Sequence, residues 1–373
     1  MKEFLTFKSG KFYFNEEYDA SQIDNLLVRA TVLNETIVDL PILPELASRI
    51  EPEIMYSSIA GTAAIEGNPI TREDVQKIAQ GEEIEIYTKR DKQEIKNLIK
   101  AYNFLSSIES SQEPFVVTEE IICELHKIIT SDILDENNIP GKYRNGIVYV
   151  GDKLHGGTYT PPKILADIKN LMREFTEWIN SDELVQCNPF IRASLAHYYF
   201  ATIHPFWDGN GRTARLLEAL LLQSANIKYA PRELSNYYYR NVDEYYIAFS
   251  KSIKLKKNAT PFLKFCLEGS VESLERIKKT IIFFIRKFTL RDFYRFERKE
   301  KRLTSRQFDL LDLLLDNPIS FSLKDLYERK PFSILYSNVT TQTARRDVKK
   351  LLAQKLISLN ENKKYSLNFR VLG

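Results

Sequence analysis

The chain has 373 residues at 43% hydrophobic and 28% charged, a composition that builds packed cores, two or three domains by length, and excludes disordered and fibrous classes. Its longest apolar runs, 216–222 and 281–285, fall short of the ~20 residues a membrane helix needs, and Met1-Lys2-Glu3-Phe4-Leu5 is no secretory signal, so a soluble, cytoplasmic protein is expected. The net charge of +3 hides a split: residues 271–373 carry 23 Lys+Arg against 12 Asp+Glu, a basic tail on an acidic body, the pattern of a nucleic-acid-binding appendage or of a solvated basic helix.

From about residue 19 to 80, apolar residues three and four apart, as in Ile23-Leu26-Leu27-Ala30-Leu33, predict helices. Inside that stretch Thr62-Ala63-Ala64-Ile65-Glu66-Gly67-Asn68 has the composition of a helix end with a Gly/Asn cap. A helix over 91–106 follows, then one running to about 130 with Thr118 as its N-cap. Residues 141–162 are β-branched and aromatic, broken by glycines, and predict a hairpin. Helices are predicted again over 162–180, 189–202 and 210–223. Cys123, Cys187 and Cys266 have no CxxC spacing and are expected to be buried small hydrophobes rather than a disulfide framework or zinc site.

The last hundred residues differ in character. A long basic helix over 269–302 leads to Thr304, a cap for a helix through 315 that Asn317-Pro318 ends. Helices over 322–329 and 340–354, then two short strands around Asn360-Glu361-Asn362, make a winged helix-turn-helix. Residues 340–352 resemble its recognition helix, and Arg345 and Arg346 would do the recognising, with Asp347 and the flanking lysines leaving DNA or protein open as the partner.

One stretch concentrates chemistry. His204-Pro205-Phe206-Trp207-Asp208-Gly209-Asn210-Gly211-Arg212-Thr213-Ala214-Arg215 offers a base, a carboxylate, two glycines around an Asn, and two arginines. Glycines at 209 and 211 let successive N–H groups turn inward as an anion nest at a helix start, a place for phosphate. Arg212 and Arg215, three apart on that helix, share a face and reach phosphate oxygens. Asp208 suits Mg²⁺, and a neutral His204 suits proton removal from a hydroxyl. No Walker A or G-x-G-x-x-G motif occurs in the chain.

These twelve residues resemble the full signature of the Fic family, HPFx(D/E)GNGRxxR, with no departure at a fixed position. The resemblance implies a Fic-type helical core, mainly α, and transfer of AMP from ATP to Ser, Thr or Tyr hydroxyls of proteins. His204 would be the base and Asp208 the Mg²⁺ ligand. Gly209, Asn210 and Gly211 would cradle the α- and β-phosphates, with Arg212 and Arg215 on the β- and γ-phosphates. The hairpin becomes the flap that docks the target segment by strand addition, and Tyr246, after Tyr245, resembles the family's adenine side. Residues 62–68 resemble the family's inhibitory motif (S/T)xxxE(G/N), so Glu66, with Thr62 and Gly67, would pair with Arg215 and occupy the γ-phosphate site. The expected organisation is an N-terminal helical region with that motif over 1–110, a catalytic core over 111–268, a connecting helix over 269–302 and a winged helix over 303–373. Other readings are a DNA-binding regulator with an ATP-sensing core, or removal of AMP through the same Glu66. Self-modification and homodimerisation stay open.

Overall fold

A computed structural model describes residues 1–42, 44–108, 114–255 and 258–372. Among them it is mainly α, with sixteen helices and three two-stranded antiparallel sheets. The chain divides into two compact units, residues 1–278 and residues 279 onward, a boundary inside the helix expected to connect them.

The first unit opens on a hairpin, β1 (Lys2–Leu5) and β2 (Lys11–Phe14). Four residues per strand carry too little periodicity to be read from sequence. Tertiary contacts hold it: Phe14, fully buried, stacks on Trp178 at 5.2 Å and meets Tyr199 at 5.3 Å. The buried Asp167 carboxylate accepts the N–H groups of Phe7 and Lys8 at 2.7 and 3.1 Å. Helices α1 (Ala20–Val38), α2 (Pro44–Ile65), α3 (Arg72–Ala79), α4 (Lys89–Ser107) and α5 (Glu119–Thr130) follow. Asp19, Thr71, Thr88 and Thr118 cap four of them by accepting first-turn N–H groups.

Strands β3 (Val150–Asp152) and β4 (Gly157–Tyr159) are all that pairs within the hairpin expected over 141–162. The earlier part, 141–149, stays irregular because its polar groups bond to other elements, as Arg144 does below. Then come α6 (Leu165–Ile179), α7 (Asp182–Gln186), α8 (Pro189–Ile203), α9 (Asn210–Ser224), α10 (Ala230–Arg240), α11 (Val242–Leu255) and α12 (Thr260–Lys299). α8 is buried at every position except Pro189 and Thr202, so it is a central rod with no polar face. α2 and α10 approach closely at Gly61, where a Cβ would lie 2.9 Å from the Asn236 Cα. α12 starts nine residues before the expected 269, because Thr260-Pro261 opens it well: the Thr260 N–H bonds to Asn258, and Pro is tolerated in a first turn.

The second unit takes over along α12 and continues with α13 (Ser305–Asp316), α14 (Asp325–Glu328), α15 (Phe332–Leu335), α16 (Thr341–Ala353) and the hairpin β5 (Ile357–Leu359) and β6 (Tyr365–Leu367). Thr304 and Gln307 form a capping box at the start of α13. The helix expected over 322–329 shrinks to α14, and α15 follows it unforeseen, since Pro331 cannot prolong α14. Leu310, Leu314, Phe321, Phe332, Tyr336, Val348 and Leu351 are the buried centre of this unit. No helix among the described residues is long and apolar enough to cross a membrane. Of the cysteines only Cys266 is buried; Cys123 and Cys187 are half-exposed, contrary to expectation, Cys187 because it ends α7 where the chain turns.

Candidate functional site

α8 stops where its sequence makes it stop: Pro205 disfavours the α conformation in the residue before it. His204 turns left-handed instead (φ 50°, ψ 60°), its N–H still reaching the Phe200 carbonyl. Its Nδ1 lies 3.3 Å from the Ala201 carbonyl. A carbonyl only accepts, so Nδ1 carries the proton and Nε2 the lone pair. Burial, aided by the Arg144 guanidinium, pulls the imidazole down to about 4, leaving it neutral at pH 7. Arg144 is fully buried and staples the turn. Its Nε donates to the His204 carbonyl at 2.7 Å, its backbone N–H to the Pro205 carbonyl at 2.9 Å, and its Nη1 to the Gly146 carbonyl.

The loop after His204 is fixed from inside. Asn210 Oδ1 accepts the Phe206 N–H at 2.9 Å and its Nδ2 donates to the Phe206 carbonyl at 2.8 Å. The Phe206 ring stacks on His126 with centroids 3.6 Å apart. His126 Nδ1 accepts the Gly141 N–H at 2.9 Å, so Nε2 donates to the Asp208 carbonyl at 3.0 Å. Gly209 starts α9 at φ 76°, and a Cβ there would sit 3.1 Å from Thr130. The glycine meets two demands, positive φ and close packing. Asp208 Oδ1 accepts the Gly209 N–H at 2.6 Å and Oδ2 accepts Arg212 Nη2 at 3.0 Å. Burial opposes its charge, but Arg212 and the N–H outweigh it and hold the carboxyl below its ordinary value. Arg212 is thus paired across one helical turn, with Glu94 at 3.8 Å and a buried Nε that has no partner.

Glu66 reaches the same helix from α2. That helix ends in a double closure, with the Gly67 N–H on the Ala64 carbonyl at 3.0 Å and the Asn68 N–H on the Ala63 carbonyl at 3.1 Å. With Gly67 at φ 87° this is a Schellman motif, and it leaves Glu66 as the C-cap residue. Arg215 Nη2 donates to Glu66 Oε1 at 2.6 Å, and Arg215 Nε to Thr62 Oγ1 at 2.7 Å. The Arg215 side chain is 2% exposed and that of Glu66 31%. Burial disfavours the Arg215 charge, yet the Glu66 carboxylate more than compensates and raises its pKa. Gly211 makes the approach feasible: a Cβ there would lie 2.5 Å from Glu66 Oε1. Asn68 fastens the segment to α4 through Glu94 Oε2 at 2.9 Å.

A cavity of about 450 Å³ joins these parts, lined by Glu66, His204, Gly211 and Arg215 on one side and by the β3–β4 hairpin and α11 on the other. Tyr246 is on its wall, half-buried, with its ring 5.3 Å from that of His155. Neighbouring Tyr245 is buried instead, bonded to His197, which is bonded to Glu218, each at 2.9 Å. The hairpin is tied down twice. Tyr159 donates to the Ala201 carbonyl at 3.0 Å, and His155 bridges Asp152 and Asp243 at 2.7 and 3.0 Å. Those two carboxylates raise the His155 pKa.

The structure therefore brings together His204, Asp208, Gly209, Asn210, Gly211, Arg212, Arg215, Thr62, Glu66 and Gly67, with Tyr246 across the cavity. Sequence reasoning did not find His126, Arg144 or His155, and it read Asn68 only as part of a helix cap. Only His126 left a trace, a polar residue on the buried face of a helix.

Residues 116–222 match the Fic/DOC family. The chain is 30% identical over 202 residues to the protein adenylyltransferase Fic of Drosophila erecta, an alignment covering 51% of this chain but only 37% of that protein's length. A Fic family protein of Desulfovibrio desulfuricans G20 superposes with a TM-score of 0.60 at 20% identity, over 95% of this chain and 98% of the other. Fic-1 of C. elegans superposes with a TM-score of 0.57 at 23% identity, over 70% and 73%. At those identities the likeness speaks to fold.

Proposed function

We propose that this chain, whose residues 116–222 form a Fic/DOC domain, is a protein adenylyltransferase moving AMP from ATP to Ser, Thr or Tyr hydroxyls, and that Glu66 restrains it. The observation carrying this reading is a neutral His204, its Nε2 lone pair free, on the same cavity as Gly211, Arg215 and Glu66. Nε2 takes the hydroxyl proton as the oxygen attacks the α-phosphorus. The new O–P bond forms while the bond to the β-phosphate breaks and pyrophosphate leaves. First-turn N–H groups of α9 at Asn210 and Gly211 have no intrahelical acceptor and face phosphate with the positive helix end. Arg212 and Arg215 take the outer phosphates when they leave Asp208 and Glu66.

Asp208 is the residue to hold Mg²⁺. Its side chain is 35% exposed and ionised. One carboxylate at the start of α9 suits a cation held mainly by water and substrate phosphates. Mg²⁺ there would neutralise phosphate charge. Tyr246, on the cavity wall across from His204, would flank the adenine, and the β3–β4 hairpin, with Tyr149 73% exposed before it and Leu154 83% exposed in its turn, receives the target segment by backbone pairing. Restraint follows from the Arg215–Glu66 pair, because a γ-phosphate must displace Glu66 to reach Arg215.

The test incubates wild type and His204→Ala with ATP and Mg²⁺ and follows AMP adducts on the protein and in a lysate by mass spectrometry. A positioned base is worth roughly 10²–10⁴ in rate, so the variant loses at least ~10². Adducts as abundant as in wild type would overturn the assignment.

A further inference from the structure

We propose that the β3–β4 hairpin does more than receive a target segment: Arg144 ahead of it and Tyr159 within it are positioning residues that build the base His204 into place, an inference that rests on the adenylyltransferase reading. α8 ends at Ile203, and the last carbonyls of a helix have no partner inside it. The hairpin and the segment leading into it supply donors. Tyr159 Oη lies 3.0 and 3.2 Å from the Ala201 and Thr202 carbonyls and donates between them. Arg144 takes the two residues after the helix, its Nε on the His204 carbonyl and its backbone N–H on that of Pro205. The Ala201 carbonyl also fixes the Nδ1 proton of His204, so the backbone of the base and its ring both depend on donors from residues 144–159.

The segment before β3 lies flat on the loop that carries the base. Gly146 approaches Trp207 so closely that a Cβ would lie 2.5 Å from Cη2 of that ring. Tyr143 packs on Phe206 with centroids 5.3 Å apart and donates to Glu119 of α5 at 2.8 Å. Asn145 accepts the Leu165 N–H at 3.2 Å, which anchors the segment to α6 as well.

Arg144 is more than a structural pin. It is fully buried, its Nη2 has no hydrogen-bond partner, and among the described residues no carboxylate offsets its charge. Burial pulls its pKa down to about 10, which leaves it charged at pH 7. A buried cation without a carboxylate costs more than an apolar side chain of the same volume. Two things offset that cost: the negative end of α8 faces the guanidinium, and the guanidinium stands beside the imidazole. The charged groups that face the ring are Arg144, Glu66 beyond α2 and Asp208 of its own loop. The two carboxylates favour protonation of the ring; Arg144 opposes it and keeps the base neutral. A target strand paired to β3–β4 is thus held by the same stretch of chain that holds the base, which fixes the distance from its hydroxyl to Nε2. A displacement of about 1 Å between reacting groups costs ~10² in rate.

The experiment uses the full chain labelled with ¹⁵N-histidine, as wild type, Arg144→Met, Arg144→Lys and Tyr159→Phe, each checked by melting. The chain has 4 histidines, and the spectrum of His204→Ala assigns the His204 ring. In wild type that ring titrates at about 4. In Arg144→Met the titration moves up toward ~6.5, and in Arg144→Lys, which keeps the cation, it stays closer to wild type. Initial rates of AMP transfer over a range of ATP give kcat and KM. Arg144→Met loses ~10² in kcat, and Tyr159→Phe loses about 2–10-fold, the worth of one hydrogen bond. Arg144→Lys lowers kcat as well, since one ammonium does not reproduce the fork on His204 and Gly146. KM for ATP is unchanged throughout, because the loss falls on placement of the base and not on nucleotide binding. If Arg144→Met does not fold, the other two variants carry the kcat test. The proposal is overturned if the folded variants keep the wild-type kcat, if KM rises in step with a falling kcat, or if the His204 titration does not move in a folded Arg144→Met. A wild type that transfers no AMP would instead sink the adenylyltransferase reading, and the titration would still decide whether Arg144 holds His204.

Discussion

Replacing Glu66 tests the restraint directly. The pair joins Arg215, 2% exposed, to Glu66, 31% exposed, at 2.6 Å. A hydrogen bond between charged groups contributes about 1.5–3 kcal/mol, and solvent screening on the Glu66 side favours the low end, about 1.5–2 kcal/mol. Glu66→Gly takes the counter-charge from a buried arginine and leaves it Thr62 Oγ1 as acceptor from Nε at 2.7 Å, so melting is followed beside labelling. If that free energy separates bound ATP from its productive pose, removing it raises labelling at subsaturating ATP by about 10–30-fold, at 1.4 kcal/mol per tenfold. Glu66→Gln keeps the size and a neutral hydrogen bond, so its rise is smaller than that of Glu66→Gly. Initial rates with α-labelled ATP, with His204→Ala as the zero, give the comparison. If both variants label at the wild-type rate while melting as folded proteins, the Arg215–Glu66 pair is not a restraint and the reasoning fails.

Three further outcomes follow from the geometry. Gly61→Ala puts a Cβ 2.9 Å from the Asn236 backbone, so it costs about 1–3 kcal/mol in denaturant stability and, by pushing α2 off α10, raises basal labelling. Phe14→Ala empties a fully buried aromatic site against Trp178 and Tyr199 and costs about 3–5 kcal/mol by denaturant titration. His126 and His204 are both lowered to about 4, by burial first in each case, against ~6.5 in an unfolded chain. Between those values the folded state binds fewer protons than the unfolded one, so their stabilising contribution is full above pH ~6.5 and lost as pH falls toward 4. The melting temperature should drop over that window, and His126→Gln should flatten the slope; an equally steep slope in the variant would show that His126 does not cause it.

Much of this protein was legible because the informative features are local. The helix caps at Thr118 and Thr304 depend on a side chain and an N–H three residues on, so sequence places them within a residue or two. The loop from His204 to Gly211 is local in the same way: Pro205 ends one helix, and Gly209, free to take positive φ, starts the next. The β1–β2 hairpin was illegible because Asp167 and Trp178, more than 150 residues away, hold it in place.

Sequence alone thus determined the chemistry at hand, a base, a carboxylate, a nest and two arginines in one short run. It determined the basic excess of the tail as well. Tertiary structure decided how those charges are used. It set Asp208 on Arg212 and Glu66 on Arg215, closed the cavity with α11 and a hairpin tied at His155 and Tyr159, and turned Asp347 inward so that the exposed charges of α16 are all positive. The physical reason is reach: Coulombic pairing and desolvation depend on distance and burial in space, and neither is a function of separation along the chain.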